Sequence, residues 1–231
     1  SWTQLAVPTP PARSYATAAF DSVRSRLVLM AGLTSAGTLT NEVWEWNGAM
    51  WSNVGAGLFT PRYNATSTFD PVNNRIVFYG GQTAPTTGAN GTYSWNGVTW
   101  TLMGGEPGTR FENSMIFDYQ TSQVKIGGVP VLPEGNMRIF FRNGSSWSNS
   151  NFNTPVGVHP GQLASTPAGG LFVSGANGGL WERTGSTWSD LLAPPLGLAL
   201  PFLLILMAVA GTMSGFGILA SILSLALVLF Y

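Results

Sequence analysis

The sequence predicts an all-β domain of about four repeated, four-stranded units over residues 1–190, followed by one C-terminal membrane-spanning helix. Three observations carry that reading. A Gly-x-x-Trp tetrapeptide returns at Trp51, Trp100, Trp147 and Trp188. Residues 1–190 are rich in Gly, Pro, Ser, Thr and Asn, the residues that punctuate short strands. After Asp190 no charged residue occurs through Tyr231, and the stretch is mostly Leu, Ile, Val, Ala, Phe and Met.

The repeat is the strongest of the three. It reads Asn47-Gly48-Ala-Met-Trp51, Asn96-Gly97-Val-Thr-Trp100, Asn143-Gly144-Ser-Ser-Trp147 and Thr184-Gly185-Ser-Thr-Trp188, with tryptophans 49, 47 and 41 residues apart and Trp2 lying 49 before Trp51. Arg13, Arg62 and Arg110 follow the first three tryptophans, and His159 takes the matching place in the fourth unit. Phe20-Asp21, Phe69-Asp70 and Phe117-Asp118 come next. An apolar run ending in glycine then closes the pattern, as in Arg26-Leu-Val-Leu-Met-Ala-Gly32 and Arg75-Ile-Val-Phe-Tyr-Gly-Gly81.

Within the second unit the expected strands are Tyr63–Phe69, Arg75–Tyr79, Gly91–Trp95 and a fourth from Thr99 to about Leu102. Asn-Gly between the third and fourth is a hairpin signal, because both residues accept positive φ. Gly80-Gly81 ends the second strand where the chain must turn sharply. A period near 50 built from four strands is the signature of a β-propeller blade. Aromatic residues recurring in fixed phase (Trp51, Trp100, Trp147 and Trp188 in one register, Trp44, Tyr93, Phe140 and Trp181 in another) read as packing between blades. Arg13, Arg62 and Arg110 read as scaffold, bonding carbonyls or stacking on aromatics.

The pattern Trp-x-x-Leu, Pro-x-Arg, Phe-Asp, Arg-(Leu/Ile)-Val-x-x-x-Gly and Trp-Asn-Gly-x-x-Trp resembles bacterial kelch-type repeats over residues 1–190, most clearly in the first two units. The resemblance implies a propeller with blades around a central axis and loops used for binding. Members commonly have six or seven blades, whereas four units fit here. Trp2-Thr-Gln-Leu5 matches a fourth-strand position. Either it pairs into the last blade, in competition with Trp188-Ser-Asp, and closes a four-bladed ring, or the arc stays open and a partner completes it.

Chemistry is sparse. Ten basic residues balance ten acidic ones, so nothing marks an anionic partner, and nucleic acid is not expected. There is no cysteine, hence no disulfide or thiolate metal site, and the single His159 replaces a repeat arginine. That inventory excludes the copper-radical chemistry of some kelch-like oxidases, which needs a Cys and several His. Glu42 and Glu45 share a short strand and point to opposite faces, and Glu106, Glu112 and Glu134 form no readable pair. No phosphate loop, dinucleotide fingerprint or nucleophile elbow appears. The expectation is a protein with no enzymatic activity, no cofactor and no metal.

Residues 191–201, with Pro194, Pro195 and Pro201, read as a stiff linker, and Pro201 suits a first helical turn. A helix over 202–231 would run about 45 Å, enough to cross the roughly 30 Å hydrocarbon core once, with tilt or a kink absorbing the excess. Two short segments turning at Gly211–Gly217 are the alternative. Gly211-x-x-x-Gly215, continued by Gly217 and Ser221, forms a strip of small residues on which another helix packs closely. A removed export signal ahead of Ser1 would place the propeller outside the cytoplasm, periplasmic or at the cell surface. The reading is a single-pass accessory subunit, bound to the bilayer and to other membrane subunits through helix and propeller loops, with a respiratory or photosynthetic complex as a natural host. The alternative is a cell-surface glycan- or protein-binding module with a simple anchor.

Overall fold

Four four-stranded antiparallel sheets follow one another along the chain. The computed structural model describes residues 6–104, 110–130, 138–144, 146–153, 162–174, 179–184 and 187–192, with the side chains at 110–113, 128–130, 138, 143 and 150–153 left aside. Among these residues the regular elements are all strands. A first compact unit ends at Leu191. None of the described residues forms a helix long and apolar enough to cross a membrane, and the predicted span at 202–231 lies outside them.

A short strand β1 (Arg13–Ser14) precedes the first sheet, which contains β2 (Thr17–Asp21), β3 (Arg26–Met30), β5 (Glu42–Trp46) and β6 (Trp51–Ala56); β4 (Leu33–Thr34) pairs with β1. The second sheet is β7 (Thr66–Asp70), β8 (Arg75–Tyr79), β11 (Thr92–Trp95) and β12 (Trp100–Leu102), with β9 (Gln82–Ala84) and β10 (Thr87–Gly88) making a side ribbon. The third is β13 (Arg110–Asp118), β14 (Gln123–Pro130), β15 (Arg138–Asn143) and β16 (Ser146–Asn153). The fourth is β17 (Leu163–Ser165), β18 (Leu171–Ser174), β19 (Leu180–Thr184) and β20 (Thr187–Asp190). Each sheet keeps its strands in chain order, so each is a meander, here called blades 1 to 4. In blade 1 β4, and in blade 2 the whole β9–β10 ribbon, fall between the second and third main strands, where the repeat pattern carried no strand signal.

The turns explain the register. Asp21 accepts from the backbone N–H groups of Val23 and Arg24, Asp70 from that of Asn73, and Asp118 from that of Gln120. The recurring Asp thus shapes the bend between the first two strands of its blade. Ser25, Asn74 and Ser122 close that bend with φ of 53°, 50° and 52°. The Asn-Gly turns depart from expectation. Gly48 and Gly97 take positive φ, but Asn47 and Asn96 do not. Each Asn instead turns its Oδ1 onto two following amides, Ala49 and Met50 in one case, Val98 and Thr99 in the other. The loop is therefore four residues long, with Trp46 opposite Trp51 and Trp95 opposite Trp100. A side-chain acceptor has replaced the left-handed Asn.

Side chains alternate along each strand, so every blade has a leading face toward the next blade and a trailing face toward the one before. Three apolar clusters result, one per joint. Val28, Met30 and Val43 lead blade 1 onto Ile76, Phe78 and Trp95 of blade 2. Val77 and Tyr79 lead blade 2 onto Met115, Phe117, Val124 and Ile126 of blade 3. Ile116 and Ile139 lead blade 3 onto Leu163, Leu171 and Val173 of blade 4. Phe59, from the segment between β6 and β7, stacks on Phe78 at 4.1 Å and meets Trp100 edge-on at 5.3 Å. Burial of such a ring stabilises the joint by about 1.5–3 kcal/mol.

Candidate functional site

The innermost strand of every blade faces one shared cleft of about 450 Å³. Ala18, Ala19 and Phe20 come from β2, Ser67, Thr68 and Phe69 from β7, Ile116 and Phe117 from β13, and Ala164 and Ser165 from β17, with Ser22 and Tyr119 contributed by the bends. Small residues at the strand centres keep the axis open. The aromatics gather toward one end, because Phe precedes the turn-forming Asp in three units. Phe20 is 57% exposed and Tyr119 46%, whereas Phe117 is 5% exposed and packs edge-on against Tyr119 at 5.1 Å.

Hydroxyl groups link the blades around the axis. Thr17 and Ser67 share a 2.8 Å hydrogen bond between blades 1 and 2, and the Ser165 hydroxyl donates to the Phe117 carbonyl at 2.6 Å between blades 4 and 3. Among the described residues no charged side chain lines the cleft. Asp21, Asp70 and Asp118 alternate to the other side of their strands and are buried. The surface offered is aromatic rings and neutral hydroxyls, suited to a polar but uncharged ligand or to the edge of a partner.

Charges are spent between strands and blades instead. Arg24 donates to Asp21 at 2.7 Å and to both Glu45 oxygens at 3.0 and 2.9 Å, and the Trp95 indole N–H of blade 2 adds a bond to Glu45 at 2.9 Å. Burial pulls the Arg24 guanidinium down, but bonds and charges from Glu45 and Asp21 outweigh it and hold its pKa above the ordinary value. Lys125 lies buried against Asp118. Burial raises the Asp118 carboxyl, yet Lys125 and Thr121 more than offset this and leave it below the usual carboxylate range. Glu42 is lowered by the Trp44 indole N–H and by Arg13. Arg142, buried and beside Arg75, is lowered chiefly by desolvation.

Those of the residues singled out from the sequence that are described lie along the blades and their joints and not at the cleft. Arg13 donates to the Pro11 and Ala31 carbonyls and pairs with Glu42 at 2.7 Å. Arg62, 2% exposed, donates to the carbonyls of Thr60, Gly80 and Asn90, with its guanidinium 5.7 Å from the Phe59 ring centre. Trp51 lies 5.7 Å from Trp46, and Trp100 stacks on Trp95 at 5.3 Å. Trp147 donates its indole N–H to Thr92 of blade 2, whereas that of Trp188 is buried without an acceptor among the described residues. The Arg110 side chain, His159, Gly211, Gly215, Gly217 and Ser221 lie outside the described residues. No group of three or more His, Cys, Asp or Glu capable of holding a metal occurs among the described residues. The cleft aromatics were not singled out as a site. The recurring Phe-Asp was the available signal, but it does not reveal that three distant units converge on one axis.

The repeated four-stranded meanders around a common cleft define a β-propeller fold. Among solved structures the chain is similar to YjhT, with a TM-score of 0.60 and 15% sequence identity, covering 82% of this chain and 69% of that one. At that identity the likeness concerns the fold alone. No family model matches the sequence, and no curated protein does.

Proposed function

We propose that this chain is a kelch-type propeller that acts without catalysis, as a membrane-attached scaffold and accessory subunit of a larger membrane complex. The observation that carries the reading is the uncharged, apolar run from Leu191 to Tyr231 behind a domain in which five carboxylates pair with its own cations. The carboxylates of Asp21, Glu42, Glu45, Asp70 and Asp118 are each engaged by a cation of the same blade. A hydrolytic or redox centre needs convergent free groups, and the paired carboxylates leave the scaffold reading the simpler one. In this reading the helix over 202–231 docks through Gly211, Gly215, Gly217 and Ser221, with the propeller on the extracytoplasmic side.

The test is purification of the full chain from its native membrane in mild detergent, with the mass and composition of the particle measured. Stoichiometric membrane subunits travelling with it are expected, and Leu in place of Gly211 and Gly215 should release them. A particle containing this chain alone rejects the reading. A cell-surface binding module is then favoured by the axial cleft, whose Phe20, Phe69 and Tyr119 rings and uncharged hydroxyls fit a neutral sugar. Direct titration with neutral oligosaccharides, and loss of binding in Tyr119→Ala, would test that second reading.

A further inference from the structure

The strand register makes positions in the four blades equivalent. Trp46, Trp95, Arg142 and Arg183 occupy one position, each opposite the Gly-x-x-Trp tryptophan of its own blade. One residue earlier come Glu45, Ser94, Phe141 and Glu182, on the other face. In the joint between blades 1 and 2, leading Glu45 accepts the indole N–H of trailing Trp95. The trailing face of blade 1 presents the same indole, Trp46, and the leading face of blade 4 presents the same carboxylate, Glu182. Among the described residues neither the Trp46 indole N–H nor the Glu182 carboxylate has a hydrogen-bond partner, although both backbones are paired in their sheets.

The surrounding positions match as well. Blade 1 leads with Ala19, Val28, Val43 and Glu45, and blade 4 leads with Ala164, Phe172, Leu180 and Glu182. Blade 2 trails with Phe69, Ile76, Phe78 and Trp95, and blade 1 trails with Phe20, Leu27, Leu29 and Trp46. Among the described residues the two end faces are not mated with one another. Phe20 is 57% exposed where its counterpart Phe117 is 5%, and Ala164 is exposed where its counterpart Ile116 is 9%. Leu27 and Leu29 are half-buried, whereas Ile76 and Phe78 are fully buried.

We infer that these end faces are the two halves of one joint, mated between two copies of this chain. Blade 4 of one copy covers blade 1 of the other, and Glu182 takes the Trp46 indole N–H as Glu45 takes that of Trp95. Two copies joined at both ends form a twofold-symmetric ring of eight blades, twice the four that the described residues of one copy form, within the four to eight typical of propellers. The joint leaves no apolar end face in water.

The chain has no cysteine, so single cysteines report position cleanly. Full-length Phe20→Cys and Ala164→Cys chains, separately purified in detergent and mixed, should give a covalent dimer with a short bis-maleimide. Val98→Cys, on an exposed turn of blade 2, should give none with Ala164→Cys. Trp46→Phe, which removes only the donor, should weaken dimerisation about tenfold or more, the effect of one hydrogen bond to a charged group. No dimer from the mixture, a crosslink only within a single chain carrying both cysteines, or equal crosslinking by the Val98→Cys control would overturn the inference.

Discussion

Removing the carboxylate of Glu45 tests whether the joint between blades 1 and 2 is held by a specific polar contact. Glu45→Leu keeps an apolar side chain of similar length and deletes the acceptor. Arg24 is left with Asp21, and because its side chain is 27% exposed it regains part of its loss from water. The Trp95 indole N–H, on a residue 5% exposed, has no such recourse. Breaking a buried pair costs about 3–5 kcal/mol; the exposure of Arg24 trims this to about 2–4 kcal/mol. For a domain of this size that is a fall in Tm of about 4–16 °C. Trp95→Phe alone forfeits one charge-assisted bond, about 1.5–3 kcal/mol, plus part of its stacking on Trp100. In the double variant neither group is orphaned, so the two losses should overlap by about 1.5–3 kcal/mol. Urea unfolding of the four proteins, followed by tryptophan fluorescence and circular dichroism, measures the cycle. Additive losses within about 0.5 kcal/mol would refute the reasoning and leave the joint to apolar packing alone.

Three further predictions concern other positions. Trp147 finds Thr92 across its joint, but the counterpart of Thr92 opposite Trp188 is Ile139, which explains the buried indole N–H without an acceptor. Ile139→Thr should therefore cost no more than Ile139→Val, about 0.5–1.5 kcal/mol, and a clearly larger loss in parallel urea melts would count against the pairing. A Cβ at Gly81, where φ is +95°, would lie 2.7 Å from the Tyr63 carbonyl oxygen, whereas one at Gly37, with φ of +77°, would meet open space. Gly37→Ala should cost about 1–2 kcal/mol for backbone strain alone, and Gly81→Ala measurably more; equal losses by thermal melting would show that close approach is unimportant. The Asp118 carboxyl sits below its ordinary pKa, so its stabilisation is present above the unfolded value of about 3.9 and is lost as pH falls through the lower native value. Asp118→Asn should lower stability near neutrality and flatten the acid limb of a stability-versus-pH curve. An unchanged limb would mean that other carboxylates govern it.

Local rules explain how much of this architecture was readable from composition and spacing. Arg75–Tyr79 is a strand in the predicted span because an apolar run bounded by an Asp-led bend and by Gly80-Gly81 leaves little alternative. The first strand of that unit starts at Thr66 and not at Tyr63, because Tyr63 pairs instead with Gln82, a contact between distant residues that no local propensity encodes. The Asn-Gly turns were located correctly but given the wrong geometry, since the choice between a left-handed Asn and an Asn side chain capping the loop depends on loop length set by the strand pairing.

Sequence alone determined the period, the blade as the repeating unit, the alternation of the strands and the apolar character of residues 191–231. Those features follow from backbone hydrogen bonding, turn chemistry and hydrophobic periodicity, all legible over a few residues. Tertiary structure decided the rest. That Glu45 meets Trp95, 50 residues away, and that Phe20, Phe69 and Tyr119 line one axis both depend on how successive blades rotate against each other. That rotation is set by the fit of one apolar face on the next, a property of surfaces that exist only once the sheets have formed.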